Sequence, residues 1–139
     1  MKVRDIMTRE VKIVSPADVL QSAAQLMEKN DFGMVPVGEN DRLVGMLSDR
    51  DITVRGVARG LAPDRATVRD VMTTDVKYVY DDESVDDVSR NMSELQVRRL
   101  PVLNREKRLV GIVSLGDLAV KDPRDAGDAL QSISQPGHH

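Results

Sequence analysis

Two short stretches carry residue types arranged for chemistry. Gly45-Met46-Leu47-Ser48-Asp49-Arg50-Asp51 reads Gly, two apolar residues, Ser, two variable residues, Asp, and Gly111-Ile112-Val113-Ser114-Leu115-Gly116-Asp117 reads the same. A short apolar run followed by S-x-x-D marks a buried strand that turns directly into a capped helix. Such a helix start presents backbone N–H groups and a partial positive charge, which suit anions and hydroxyl groups. The chemistry expected of Ser48, Asp51, Ser114 and Asp117 is therefore binding rather than bond-making. The same spacing is that of a plain capping box, and the two readings are compatible because a carboxylate has two oxygens.

Bond-making chemistry lacks its residue types. The chain has no cysteine, which excludes disulfides, thiolate metal sites and Cys nucleophiles. The only histidines, His138 and His139, follow Pro136-Gly137 and are read as the remnant of a purification tag. Without another His, neither a Ser-His-Asp triad nor a His-ligated zinc site can be assembled. The acidic run Asp81-Asp82-Glu83, with Asp86-Asp87, lacks the glycine and ligand spacing of a calcium loop. It reads instead as a helix N-terminus loaded with favourable negative charge. Met7, Met27, Met34, Met46, Met72 and Met92 read first as core filler. No catalytic or metal-ligating residue is expected, and an enzyme is the least favoured class.

The bulk composition agrees with a binding or interaction module. The 139 residues are 40% hydrophobic and 31% charged, ordinary for a globular protein. Aromatics make up only 2% (Phe32, Tyr78 and Tyr80), so the core must be built from Val, Leu, Ile, Met and Ala. A net charge of -3 argues against a dedicated nucleic-acid binder. Arg98, Arg99, Arg105, Lys107 and Arg108 offer a local basic patch, whose sign would be steep loss of binding with salt. The N-terminus is charged at once and no apolar run approaches membrane-spanning length, so a cytoplasmic location is expected.

The elements that position the two stretches are themselves duplicated. Val3-Arg4-Asp5-Ile6-Met7-Thr8 returns as Val68-Arg69-Asp70-Val71-Met72-Thr73, an offset of 65 residues. The offset becomes 66 where Arg42-Leu43-Val44-Gly45 pairs with Arg108-Leu109-Val110-Gly111, so one residue is inserted in the turn from Leu103 to Lys107. In repeat 1 the pattern predicts a helical turn near residues 3–7 and a strand around Val11–Val14. A helix follows, starting at Ser15-Pro16-Ala17-Asp18 and running to about Lys29. Met34–Val37 is a strand that Pro36 places at an edge or an irregularity. A hairpin turn at Gly38–Asp41, a strand at Leu43–Leu47 and a helix from Ser48 to about Gly60 complete the repeat.

Repeat 2 predicts a strand at Val76–Tyr80, a helix at Ser84–Leu95 with Val85, Val88, Met92 and Leu95 as its apolar face, strands at Arg99–Leu103 and Leu109–Val113, and a helix from Leu115. The domain reading is repeat 1 at 1–60, linker at 61–67, repeat 2 at 68–121, tail at 122–137 and tag remnant at 138–139. A half of about 60 residues buries too little surface to stand alone comfortably. The fold class expected is mixed α/β of the α+β kind. In it two tandem β-α-β-β-α repeats pack sheet to sheet about a pseudo-twofold axis, with clefts beside the S-x-x-D junctions.

These motifs resemble those of the CBS-domain pair, or Bateman module, over roughly Val3 to Val120. The resemblance rests on V-R-D-h-M-T leading each repeat (h is apolar), on V-P-V and L-P-V, and on L-V-G-h-h-S-x-x-D closing each repeat. It implies a stand-alone regulatory module that binds an adenosine-containing ligand such as AMP, ADP or ATP, requires no cofactor for catalysis, and forms a homodimer. By the resemblance, Asp51 and Asp117 accept hydrogen bonds from ribose hydroxyls, and Ser48 and Ser114 lie near the phosphate. A basic residue two places before the second-strand Pro falls on Arg99, with Arg98 beside it, whereas repeat 1 has Met34 there. That departure makes the two clefts unequal, with the phosphate held better where Arg99 reaches. The competing expectation is a ligand-free dimerisation scaffold with vestigial clefts.

Overall fold

The computed structural model describes residues 1–121, a mixed chain of helices and strands with two sheets. The tail at 122–137 and the two histidines lie outside the described residues. The chain divides into two compact units, one of Lys12–Val76 and one of Met1–Val11 with the chain from Lys77 onward. The units cross the repeat boundaries, because each repeat's leading V-R-D segment packs in the unit of the other repeat. Val3, Ile6 and Met7 join the core built by the second repeat, and Val68 and Val71 join that of the first.

In the Lys12–Val76 unit, α1 (Leu20–Asn30) is followed by the hairpin β1 (Met34–Glu39) and β2 (Arg42–Ser48). Next come a short α2 (Asp49–Asp51), which continues as a π-helix over Ile52–Val57, and α3 (Val68–Val71). α1 begins later than its sequence signal. Ser15–Asp18 closes a separate turn in which the Ser15 N–H donates to Asp18 Oδ2 at 2.8 Å. Leu20, Ala23 and Met27 then bury one stripe of the helix. It ends at Asn30 and is capped by Asp31 in a left-handed backbone (φ 56), close to the end expected near Lys29.

The strand expected at Val11–Val14 shrinks to one bridge between Val14 and Val37. That bridge uses the Pro36 carbonyl and the Gly38 N–H, at 3.1 and 2.9 Å. Pro36 contributes only its carbonyl to that bridge, so a residue without an N–H is tolerated inside the strand. The expected irregularity is present as a register shift between Val37 and Gly38. Asn40 and Asp41, both at positive φ (54 and 63), make the two-residue turn that closes the hairpin.

The other unit has a 3-10 turn at Val3–Asp5, then β3 (Val79–Tyr80), α4 (Val85–Leu95), β4 (Arg99–Leu103), β5 (Leu109–Ser114) and α5 (Leu115–Lys121). β4 is central, parallel to β3 and antiparallel to β5. β3 is shorter than the five residues its pattern suggested. α4 starts at the Ser84 cap, whose hydroxyl accepts the Asp87 N–H at 3.1 Å. Its buried face is Val85, Val88, Ser89 and Met92, whereas Leu95, expected on that face, is 37% exposed at the helix's last residue.

The leading segments dock by the same backbone bonds in both units, which confirms the repeat at the level of single hydrogen bonds. Val3 N donates to Glu83 O and Arg4 N to Asp81 O at 3.0 Å each, while Val68 N donates to Asp18 O at 2.8 Å and Arg69 N to Pro16 O at 3.0 Å. Thr8 then pairs with Ile112 beside β5, and Thr73 with Met46 beside β2. These added edges explain the motif glycines. A Cβ on Gly45 would lie 2.9 Å from the Thr73 carbonyl oxygen, and one on Gly111 would lie 2.9 Å from that of Thr8.

Candidate functional site

Each S-x-x-D stretch forms the expected strand-to-helix junction. Ser48 ends β2, its N–H donates to Asp51 Oδ2 at 2.9 Å, and its Oγ accepts the Asp51 N–H at 3.0 Å. Ser114 ends β5, with corresponding distances of 2.9 Å to Asp117 Oδ2 and 3.2 Å from the Asp117 N–H. All four side chains are half-buried. The box by itself is a structural device here, because the same N–H to carboxylate closure recurs at Lys2–Asp5, Ser15–Asp18 and Thr67–Asp70. What sets Ser48 and Ser114 apart is the strand opposite them.

Strand register brings the remaining candidates to these junctions. Met34 is the cross-strand partner of Ser48. Arg99 is the cross-strand partner of Ser114. Arg98 and Arg99 are both exposed, and the Arg98 carbonyl accepts the Leu115 N–H at 3.1 Å. The equivalent bond in the other unit runs from the Asp49 N–H to the Gly33 carbonyl at 2.9 Å.

The two junctions differ in charge. The helix start after Ser48 carries the carboxylates of Asp49 and Asp51 with the cation of Arg50 between them, and Asp49 Oδ1 accepts the Arg50 N–H at 2.8 Å. The start after Ser114 carries Asp117 alone, with Leu115 and Gly116 between. The Ser114 junction thus faces Arg99 with one carboxylate, and the Ser48 junction faces Met34 with two. The Asp49–Leu115 difference stands in the sequence at the first variable position of S-x-x-D. Thr73 was missed, since its place beside Asp51, with Oγ1 at 3.5 Å from each carboxylate oxygen, depends on the exchanged leading segment.

The basic residues weighed for nucleic acid do not share one place. Arg98 and Arg99 stand at one end of the β4–β5 pair and Arg105, Lys107 and Arg108 at its turn. At that turn Arg105 makes two 2.8 Å bonds to Asp82 and lies 4.0 Å over the Tyr80 ring. Lys107 Nζ lies 3.3 Å from the Tyr78 hydroxyl, and the two tyrosine rings meet edge to face at 5.6 Å. The Arg105 guanidinium holds Asp82 below the usual carboxylate range. Hydrogen bonding to Tyr80, then to Lys107, lowers the Tyr78 phenol.

The comparisons with known proteins fall on this frame. The CBS domain family model matches residues 3–56 and 68–122. The chain belongs to the CBS domain family. It is 42% identical to the CBS domain-containing protein YhcV of Bacillus subtilis, over 99% of this chain and 98% of that one. Its fold is similar to the crystal structure of Hypoxic Response Protein I with two coordinated zinc ions, with a TM-score of 0.77 and 42% identity over 86% of this chain and 98% of that one. It is also similar to CBSX2 of Arabidopsis thaliana in complex with AMP, with a TM-score of 0.76 and 26% identity over 88% of this chain and 96% of that one.

The zinc belongs to the first of those structures. Among the described residues no group of three or more His, Cys, Asp or Glu could hold a metal ion. Nor is any helix among them long and apolar enough to cross a membrane.

Proposed function

We propose that this CBS-domain protein is a regulatory sensor of an adenosine-containing nucleotide, of the AMP, ADP or ATP type, without catalytic activity of its own. The observation that carries the reading is the register of Arg99 against Ser114 beside Asp117. A cation, a hydroxyl and a carboxylate with an oxygen to spare are the groups that a phosphate and a ribose diol require. The AMP complex of CBSX2 supports the adenosine class. Adenine would rest on aliphatic side chains, given how few rings the chain has. At Ser48 the cation is replaced by Met34 and a second carboxylate is added, so that junction suits a less charged ligand or none.

Thermal unfolding with AMP, ADP, ATP, NAD and S-adenosylmethionine tests this. A ligand at a hundred times its dissociation constant adds about 2.7 kcal/mol, a melting shift on the order of 10 °C for a chain of this size. A shift lost in Asp117→Ala and kept in Asp51→Ala is the expected result. No shift with any of them at millimolar concentration sinks the reading. In that case an interaction module without ligand takes its place, which the exposed Val54 (43%) and Val57 (65%) favour as a contact between copies in a homodimer.

A further inference from the structure

The Asp51 carboxylate is engaged where the Asp117 carboxylate is not. Thr73 is locked beside β2 by two backbone bonds with Met46, at 2.8 and 2.9 Å. Its Oγ1 lies 3.5 Å from Asp51 Oδ1 and 3.5 Å from Oδ2. A donor equidistant from both oxygens sits on the bisector of the carboxylate, the region that a vicinal diol spans when each hydroxyl donates to one oxygen. Thr8 makes the same backbone pairing with Ile112, at 2.8 and 2.9 Å. Among the described residues its hydroxyl makes no bond to Asp117, whose carboxylate accepts there from the Ser114 N–H.

We propose that Thr73 is a specificity-determining residue of the Asp51 site: its side chain occupies the acceptor face that a ribose-like diol needs, so that ligand loads at Asp117 in preference to Asp51. The proposal rests on the nucleotide reading above and deepens it. The χ1 of a β-branched Thr is stiff, and its backbone is pinned on both sides of the peptide, so the hydroxyl yields only by leaving its rotamer. This asymmetry is independent of Arg99 and Met34. Those residues bear on the phosphate, whereas Thr73 bears on the sugar. Adenosine, which has the diol and no phosphate, separates the two.

The test is calorimetric titration of the full chain with adenosine and with AMP. Asp117→Asn silences the other site, and its amide oxygen still accepts the Ser114 N–H, so the cap is kept. In that background Thr73→Ala is expected to tighten adenosine binding about tenfold, the worth of one hydrogen-bonding position. Thr73→Ser, which keeps the hydroxyl but frees its rotamer, is expected to tighten it less than Thr73→Ala does. Thr8→Ala in the otherwise native chain is expected to leave binding at Asp117 unchanged.

If the native chain binds AMP but Thr73→Ala binds adenosine no tighter than its parent, the inference about Thr73 falls and the nucleotide reading stands. Equal tightening by Ala and Ser also overturns it, because the hydroxyl would then not be the cause. If neither the native chain nor Thr73→Ala binds either compound, both fall together. Binding by Thr73→Ala alone supports the inference.

Discussion

The Met7 sulfur lies where a side chain on Gly111 would have to go: a Cβ built there comes within 2.6 Å of it. Met72 and Gly45 repeat the relationship at 2.9 Å in the other unit. In both places the neighbouring threonine carbonyl oxygen would stand at 2.9 Å, and it is held by its own pairing with the strand. Gly111→Ala and Gly45→Ala are therefore expected to destabilise by about 1–3 kcal/mol each, as overpacked core positions do. Gly116→Ala, whose nearest neighbour would be the Ser114 Oγ at 3.5 Å, is expected to stay within about 0.5 kcal/mol of the parent. Urea unfolding of the three variants checks this. Equal loss at Gly111 and Gly116 would remove the packing explanation of the motif glycine.

Capping and ligand binding separate by position. Ser84 caps α4 through the Asp87 N–H at 3.1 Å, as Ser114 caps α5 through the Asp117 N–H at 3.2 Å. Ser84→Ala and Ser114→Ala are each expected to cost about 1 kcal/mol of stability. Only Ser114→Ala is expected also to weaken AMP. Chemical denaturation and nucleotide titration on the same two proteins test it, and equal weakening by both would make the Ser114 effect a consequence of stability alone.

Much of this was legible in the residues. S-x-x-D, V-P-V and the V-R-D leader are local signals, so the junctions and the strand facing each junction could be read from spacing, and so could the hairpin turn, which is narrower than the expected Gly38–Asp41 because Gly38 and Glu39 stay in β1. Strand register then made Arg99 the partner of Ser114 and Met34 that of Ser48. What could not be read was non-local. The leading segments exchange between units, which no periodicity encodes, and with them come Thr73 beside Asp51 and the reason for Gly45 and Gly111. The strand at Val11–Val14 failed because one bridge to Val37 satisfies the segment, and β-propensity cannot distinguish a bridge from a ladder. The π-turn over Ile52–Val57, with the Ala58 N–H reaching Thr53 O at 2.9 Å, followed a sequence that reads as ordinary helix.

The two junctions should exchange preferences when their facing residues are exchanged. Arg99→Met is expected to weaken AMP about tenfold while leaving adenosine within about twofold, since one charge-assisted contact to phosphate contributes about 1.5 kcal/mol or more. Met34→Arg is expected to gain AMP affinity at Asp51 by a smaller factor, because Asp49 adds negative charge at that helix start. Calorimetry with both ligands checks this. Equal loss of adenosine and AMP in Arg99→Met would mean that Arg99 acts on the fold rather than on the phosphate.

The tyrosine pair gives a pH prediction with a definite sign. Tyr78 and Tyr80 are the only two tyrosines, so absorbance near 295 nm reports them alone. Hydrogen bonding to Tyr80 first, and to Lys107 second, lowers the Tyr78 phenol below its ordinary value of 10.0. A group whose folded pKa is depressed stabilises the fold above its unfolded pKa, and loses that contribution as pH falls through the folded one. The folded chain should thus release one phenolic proton earlier than the urea-unfolded chain does. Lys107→Gln should move that early step part of the way back, since the contact with Tyr80 remains. A titration of the native chain that superimposes on the unfolded one would show that neither the Tyr80 nor the Lys107 contact of Tyr78 persists in solution.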